Sequence, residues 1–180
     1  ALNRGNLWVY NMLADYHGYT HKQWMKMFAM SKRALMVHPG NEKILLDMAN
    51  TYLEIDKPHL AKKCAEESLV TNPNFDLAFE MLARIATNQG DIKAKIENWR
   101  NALYLSPDSA LNSFNLGLAL LENDQREEGY FFIEDALRTY PDYVKNQLFR
   151  ETLQDLRKAG KLPNNLVLYL ELLEEEEPRS

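Results

Sequence analysis

The sequence predicts an all-α solenoid of stacked helix–turn–helix repeats, and three observations predict it. Prolines stand at Pro39, Pro73, Pro107 and Pro141, each 34 residues after the one before. Small residues, Ala49, Ala83 and Gly117, recur with the same period in the middle of apolar helical patterns. Gly and Pro number only seven each in 180 residues, too few for a strand-and-turn architecture, while Leu, Ala, Glu, Lys and Met favour helix. A fixed period of roughly 20–50 residues marks stacked supersecondary units.

Taken in order, the repeats run over 8–41, 42–75, 76–109 and 110–143, followed by capping helices over 144–177. The first unit carries "YNMLADYH" one residue early relative to its proline, which implies an extra residue in the "HGYTHK" turn. Its second helix holds "WMKMFAM"; Trp24, Met25, Met27, Phe28 and Met30 fall at helical spacing and are expected to pack against the second unit. Ser31 stands where a bulkier residue is usual. The second unit places Leu45, Met48, Ala49 and Tyr52 on one face, then Ala61, Ala65 and Ser68 on its second helix. The third gives Phe79, Leu82, Ala83 and Ala86, then Trp99 and Ala102. The fourth gives Leu116, Gly117 and Leu120, then Gly129, Ile133 and Ala136. Spacings of three, four and seven set each group on one helical face. The prolines sit in the connections, where a missing N–H costs little. Asp56, Asp91 and Asp124 are expected to cap the second helices, with Pro58 tolerated in a first turn.

The pattern over residues 8–141 resembles the tetratricopeptide repeat (TPR) family, whose unit is a 34-residue helix–turn–helix. The resemblance implies a right-handed superhelix whose first helices line a concave inner surface. It places Leu46 and Asn50 of the second unit on that surface, and Leu77, Glu80, Arg84 and Asn88 of the third. From the fourth unit it adds Leu111, Phe114, Asn115, Leu118 and Leu121, and from the fifth helix Lys145. "SPDSALNSFNLGLALLEND" is then apolar on two sides: Leu116, Gly117 and Leu120 face the partner helix, while Leu111, Phe114, Leu118 and Leu121 form a second stripe. Three covers are open to that stripe. Neighbouring helices can bury it, the last helix with Leu166, Tyr169, Leu170 and Leu173 can fold over it, or a partner peptide can dock on it.

Two specialised versions of the family do not match. A two-carboxylate clamp would need Lys and Asn, then Asn, then Lys and Arg on successive first helices. Here those positions read Leu46, Asn50, Met81, Leu111 and Asn115 or, one unit on, Glu80, Arg84, Asn115, Lys145 and Phe149. An asparagine ladder fails too, since that position reads Asp47, Met81, Asn115, Phe149.

Composition narrows the function. A net charge of −5 argues against generic nucleic-acid binding, although residues 1–43 hold six cations against two anions. No run approaches the roughly 18 apolar residues that span a bilayer. The single cysteine, Cys64, excludes an internal disulfide or a multi-thiolate metal site. It leans towards a reducing, cytoplasmic compartment and suits a disulfide-free periplasmic protein as well. His17, His21 and Asp15 have zinc-like spacing, but Gly18 sets a turn between them, so no metal is expected. His38 and His59 lie near turns and are expected to be exposed. No phosphate loop or nucleophile elbow is present, and neither catalysis nor a cofactor is expected.

These observations point to a scaffold that binds a peptide or helix of another protein in its groove. Self-assembly is an alternative, with the basic start meeting the acidic "LEEEEPRS" end to end. A third reading follows from the opening Ala in place of Met: an interaction domain excised from a larger enzyme.

Overall fold

Each proline of the 34-residue period falls in a turn or at a helix end, and helices run between the prolines. The computed structural model describes residues 12–13, 23–141, 147–164 and 166–167. Among them are eight helices. We name them α1 (Trp24–Val37), α2 (Glu42–Glu54), α3 (Pro58–Thr71), α4 (Asp76–Gln89), α5 (Ile92–Leu105), α6 (Ala110–Glu122), α7 (Arg126–Thr139) and α8 (Gln147–Lys158). The described residues hold no strand. The chain forms two compact units, Ala1–Pro107 and Asp108–Ser180, which divide at the third proline of the series.

One turn geometry recurs in every described helix pair. A residue at the end of the first helix adopts a left-handed backbone: Gly90, the C-cap itself, at φ 69°, and Asp56 and Asp124, each one residue past its C-cap, at φ 57° and 58°. The next N–H then reaches back five residues, Lys57 to the Tyr52 carbonyl, Asp91 to Ala86 and Gln125 to Leu120, at 2.8–2.9 Å. This closure satisfies a carbonyl that the helix end leaves orphaned. It also corrects one expectation. Asp91 caps its helix, its side chain accepting from the Ala94 N–H at 3.1 Å. Asp56 and Asp124 do not, because they occupy the left-handed position one residue before the caps Lys57 and Gln125. Asp is among the few non-glycine residues that enter this region at modest cost.

In the first unit the small residues allow the pairs to close. Ala49, Ala61 and Ala65 are fully buried among Met48, Met81 and Ile85, and Ala83 is fully buried as well. Phe28 of α1 meets Tyr52 of α2 edge-on at 5.2 Å between centroids. Met27 is buried and Phe28 packs on the same cluster, but Met25 stays 66% exposed, so the expected packing of the methionine run does not extend to it.

In the second unit α6 and α7 approach more closely still. A Cβ on Gly117 would lie 2.7 Å from the Gly129 carbonyl oxygen, and one on Gly129 would lie 2.9 Å from that of Gly117. Neither position has room for a side chain. Ser113, where a large residue would be usual, donates instead to the Phe132 carbonyl at 2.8 Å.

Candidate protein-interaction surface

The candidate residues divide between the two units. In the first unit, α2 and α4 lie side by side and present equivalent repeat positions. Leu46 and Asn50 of α2 are buried, at 8% and 3% exposed, and are not free to touch a partner as the sequence suggests. Asn50 instead accepts a hydrogen bond from Arg84 Nη1 at 3.1 Å, across one repeat. The other guanidinium nitrogen of Arg84 stands 4.0 Å from Glu54. Arg84 itself is exposed, as is Asn88 one turn on, and Leu77 one turn earlier is 47% exposed. Glu80 is half-buried between them. The α4 face is therefore an open polar strip with one apolar residue at its start. Its central cation is fixed from below by a buried amide. The guanidinium has five N–H donors, and these contacts leave some of them available to a carboxylate or a backbone carbonyl.

The second unit gives the opposite result. Phe114 is only 5% exposed, its ring stacked on Phe149 of α8 at 3.8 Å between centroids. Leu118 and Leu121 pack on the same cluster, which includes Leu153, Leu162 and Leu166. Of the three possible covers, two share the cluster that buries Phe114: the neighbouring α8, through Phe149 and Leu153, and the start of the last helical segment, through Leu166. Leu111 remains 42% exposed, and Asn115 spends its amide N–H on the Leu111 carbonyl, one turn back on its own helix, at 2.8 Å. Lys145 lies outside the described residues, as do Tyr169, Leu170, Leu173, and the His17, His21 and Asp15 triplet.

Sequence reasoning missed which residues of the fifth helix face inward. Phe149 and Leu153 are its buried pair, and neither is among the core positions that the sequence pattern singles out. The signal was present in the spacing of Phe149, Leu153 and Leu156, which share one face.

No protein-family model matches the chain. Solved structures do resemble it. MamA is 15% identical with a TM-score of 0.68, the match covering 79% of this chain and 83% of that one. YrrB, described as a TPR protein with an unusual peptide-binding site, is 14% identical with a TM-score of 0.64, covering 86% and 77%. A double mutant of MamA from RS-1 is 12% identical with a TM-score of 0.65, covering 79% of each. The chain has the TPR fold. In that fold α2, α4 and α6 are the first helices of their repeats, so the TPR assignment puts the α4 strip on the inner-helix face.

Burial, then the nearby Glu67 charge, push the Cys64 thiol up to about 11, with Lys63 opposing; a thiol so placed is a poor nucleophile near neutral pH. Burial, then Cys64, also raise the Tyr52 phenol. His38 and His59 are exposed. Among the described residues, no group of three His, Cys, Asp or Glu is placed to hold a metal, and no helix is long and apolar enough to cross a membrane.

Proposed function

We propose that this protein is a non-enzymatic interaction module that holds an extended segment of another protein along α4. The observation that carries this reading is the Arg84–Asn50 bond. It holds an exposed cation in one position through a neutral amide, with Glu54 at 4.0 Å as a half-exposed counter-charge, at the centre of a strip that also offers Leu77, Glu80 and Asn88. Such a strip suits a partner segment with a carboxylate side chain flanked by one apolar residue. The arginine and the asparagine would take the carboxylate and a backbone carbonyl, and Leu77 the apolar neighbour. The peptide-binding site named for YrrB supports the reading by analogy of fold. In the second unit, Leu111, Asn115 and Lys145 are candidates for a separate partner contact of that unit's own.

The test is a fluorescence-anisotropy screen of short acidic–apolar peptides against the wild type and Arg84→Glu. A binder that loses about tenfold or more in affinity with Arg84→Glu, at unchanged helicity, supports the assignment. Binders indifferent to Arg84→Glu and to Asn88→Ala would overturn it.

A further inference from the structure

Three side chains stand out on the opposite side of the first unit. Met36, Val70 and Tyr104 are 83%, 83% and 85% exposed, and they are separated by 34 residues each. They occupy one position, the last turn of the second helix of three consecutive repeats. Large apolar groups left in water at a strictly repeated position form a row rather than a scatter of single residues. The ends of α1 and α3 lie close together, since a Cβ on Gly40 just after α1 would come 3.3 Å from the Thr71 hydroxyl at the end of α3.

One turn before the row the charges alternate. α1 carries Lys32 and Arg33, and α3 carries Glu66 and Glu67, all four exposed. The nearby charges on these two helices are Lys26 on α1 and Lys62 and Lys63 on α3. Lys62 lies 3.9 Å from Glu66 in an exposed pair of one helix, too weak to cancel the acidic patch. Lys32 extends over the Phe28 ring at 5.8 Å.

A surface with equal apolar positions and opposite charges on two helices of the same repeat position, whose ends approach at Gly40 and Thr71, is its own complement. Rotation by half a turn about an axis running between α1 and α3, parallel to them and in the plane of the face, sets α1 of one copy on α3 of the other. Levels along the helices are preserved, so each basic pair meets an acidic pair and each apolar residue meets its counterpart. We propose that this outward face of α1 and α3 joins two copies of the chain, Met36 of one packing on Val70 of the other, with Lys32 and Arg33 facing Glu66 and Glu67. Such a contact is isologous and closes at two. Two 14-residue helices, each about 21 Å long, give a footprint at the small end of stable interfaces, so the dimer is a weak one.

Sedimentation of the full chain at concentrations up to about 100 µM tests this directly, because small interfaces dissociate in the micromolar range. The wild type is expected to dimerise reversibly, less so as salt screens the charges. Lys32→Glu with Arg33→Glu, and separately Glu66→Lys with Glu67→Lys, are each expected to be monomeric. Mixing these two variants restores a dimer, because their faces become uniformly acidic and uniformly basic. Tyr104→Glu, one tier beyond the axis, leaves association unchanged. A wild type that stays monomeric at the top concentration would overturn the proposal and leave the row to another occupant. A dimer that survives both charge-reversed variants, or a mixture that fails to associate, would overturn the pairing as well.

Discussion

α4 and α6 occupy the same place in successive repeats, and their outward-looking positions correspond one to one: Leu77 with Leu111, Glu80 with Phe114, Arg84 with Leu118, Asn88 with Glu122. The polar helix is the open one. Its arginine and asparagine face water, while the phenylalanine and leucines of the oily helix are packed under Phe149, Leu153 and Leu166. The difference teaches that a second apolar stripe on a repeat helix is first a packing surface for the chain's own next helix. Burial of each large apolar side chain is worth about 1.5–3 kcal/mol, and a nearby covalently attached helix collects that gain without a partner. A docking strip in this protein is recognised by what the chain has left uncovered.

The comparison is broken most severely at Phe114. Phe114→Glu places an unpaired charge in the α6–α8 cluster, and we expect a loss of about 4 kcal/mol or more, seen as early melting of the second unit by circular dichroism. The matched change Arg84→Glu costs less, about 1–2 kcal/mol, since Arg84 and Glu54 are half-exposed and the loss is chiefly that of the donor to the buried Asn50 oxygen. Equal losses at the two sites would mean that α4 is as covered as α6.

The next effect comes from the glycine contact. Gly117→Ala forces α6 and α7 apart against backbone and Ile133, and a loss of about 1–3 kcal/mol is expected in urea unfolding. At the corresponding place in the first unit the helix already carries alanine, so Ala83→Gly costs only about 1 kcal/mol, through helix propensity.

Smaller still are the turns. Gly90→Ala strains a left-handed residue and costs about 1 kcal/mol, although the added methyl meets nothing within 4 Å. Asp56→Gly and Asp124→Gly relieve the same strain and stabilise by a few tenths to about 1 kcal/mol each. A melting temperature that falls with either aspartate change would show that the carboxylate contributes more than its backbone costs.

Cys64 adds a pH-dependent check. Its pKa is raised on folding, so the unfolded chain loses the proton first, and stability falls as pH rises from about 9 towards 11. Cys64→Ala removes that component of the alkaline loss.

Much of this fold was written in local chemistry. The prolines, the small residues at Ala49, Ala83 and Gly117, the cap at Asp91 and the left-handed Gly90 are all decided by steric rules acting within a few residues. Asp56 and Asp124 were misread because an aspartate serves equally as a cap or as a left-handed residue, and only the backbone distinguishes the two. The candidate strip was legible as a set of positions but not as a surface. Whether Leu46 or Leu77 is exposed depends on what lies above it in space, and the same applies to Phe114. Phe149 and Leu153 escaped the period because the fifth helix closes the stack and is not bound to repeat it.

The open strip and the covered stripe are told apart most directly by thiol labelling of Arg84→Cys and Phe114→Cys, with the buried wild-type Cys64 as the slow internal reference. The account predicts that the thiol at 84 reacts at the rate of a free cysteine, while the one at 114 reacts about a hundredfold more slowly, limited by opening of the second unit. Equal, fast labelling at both positions would contradict it.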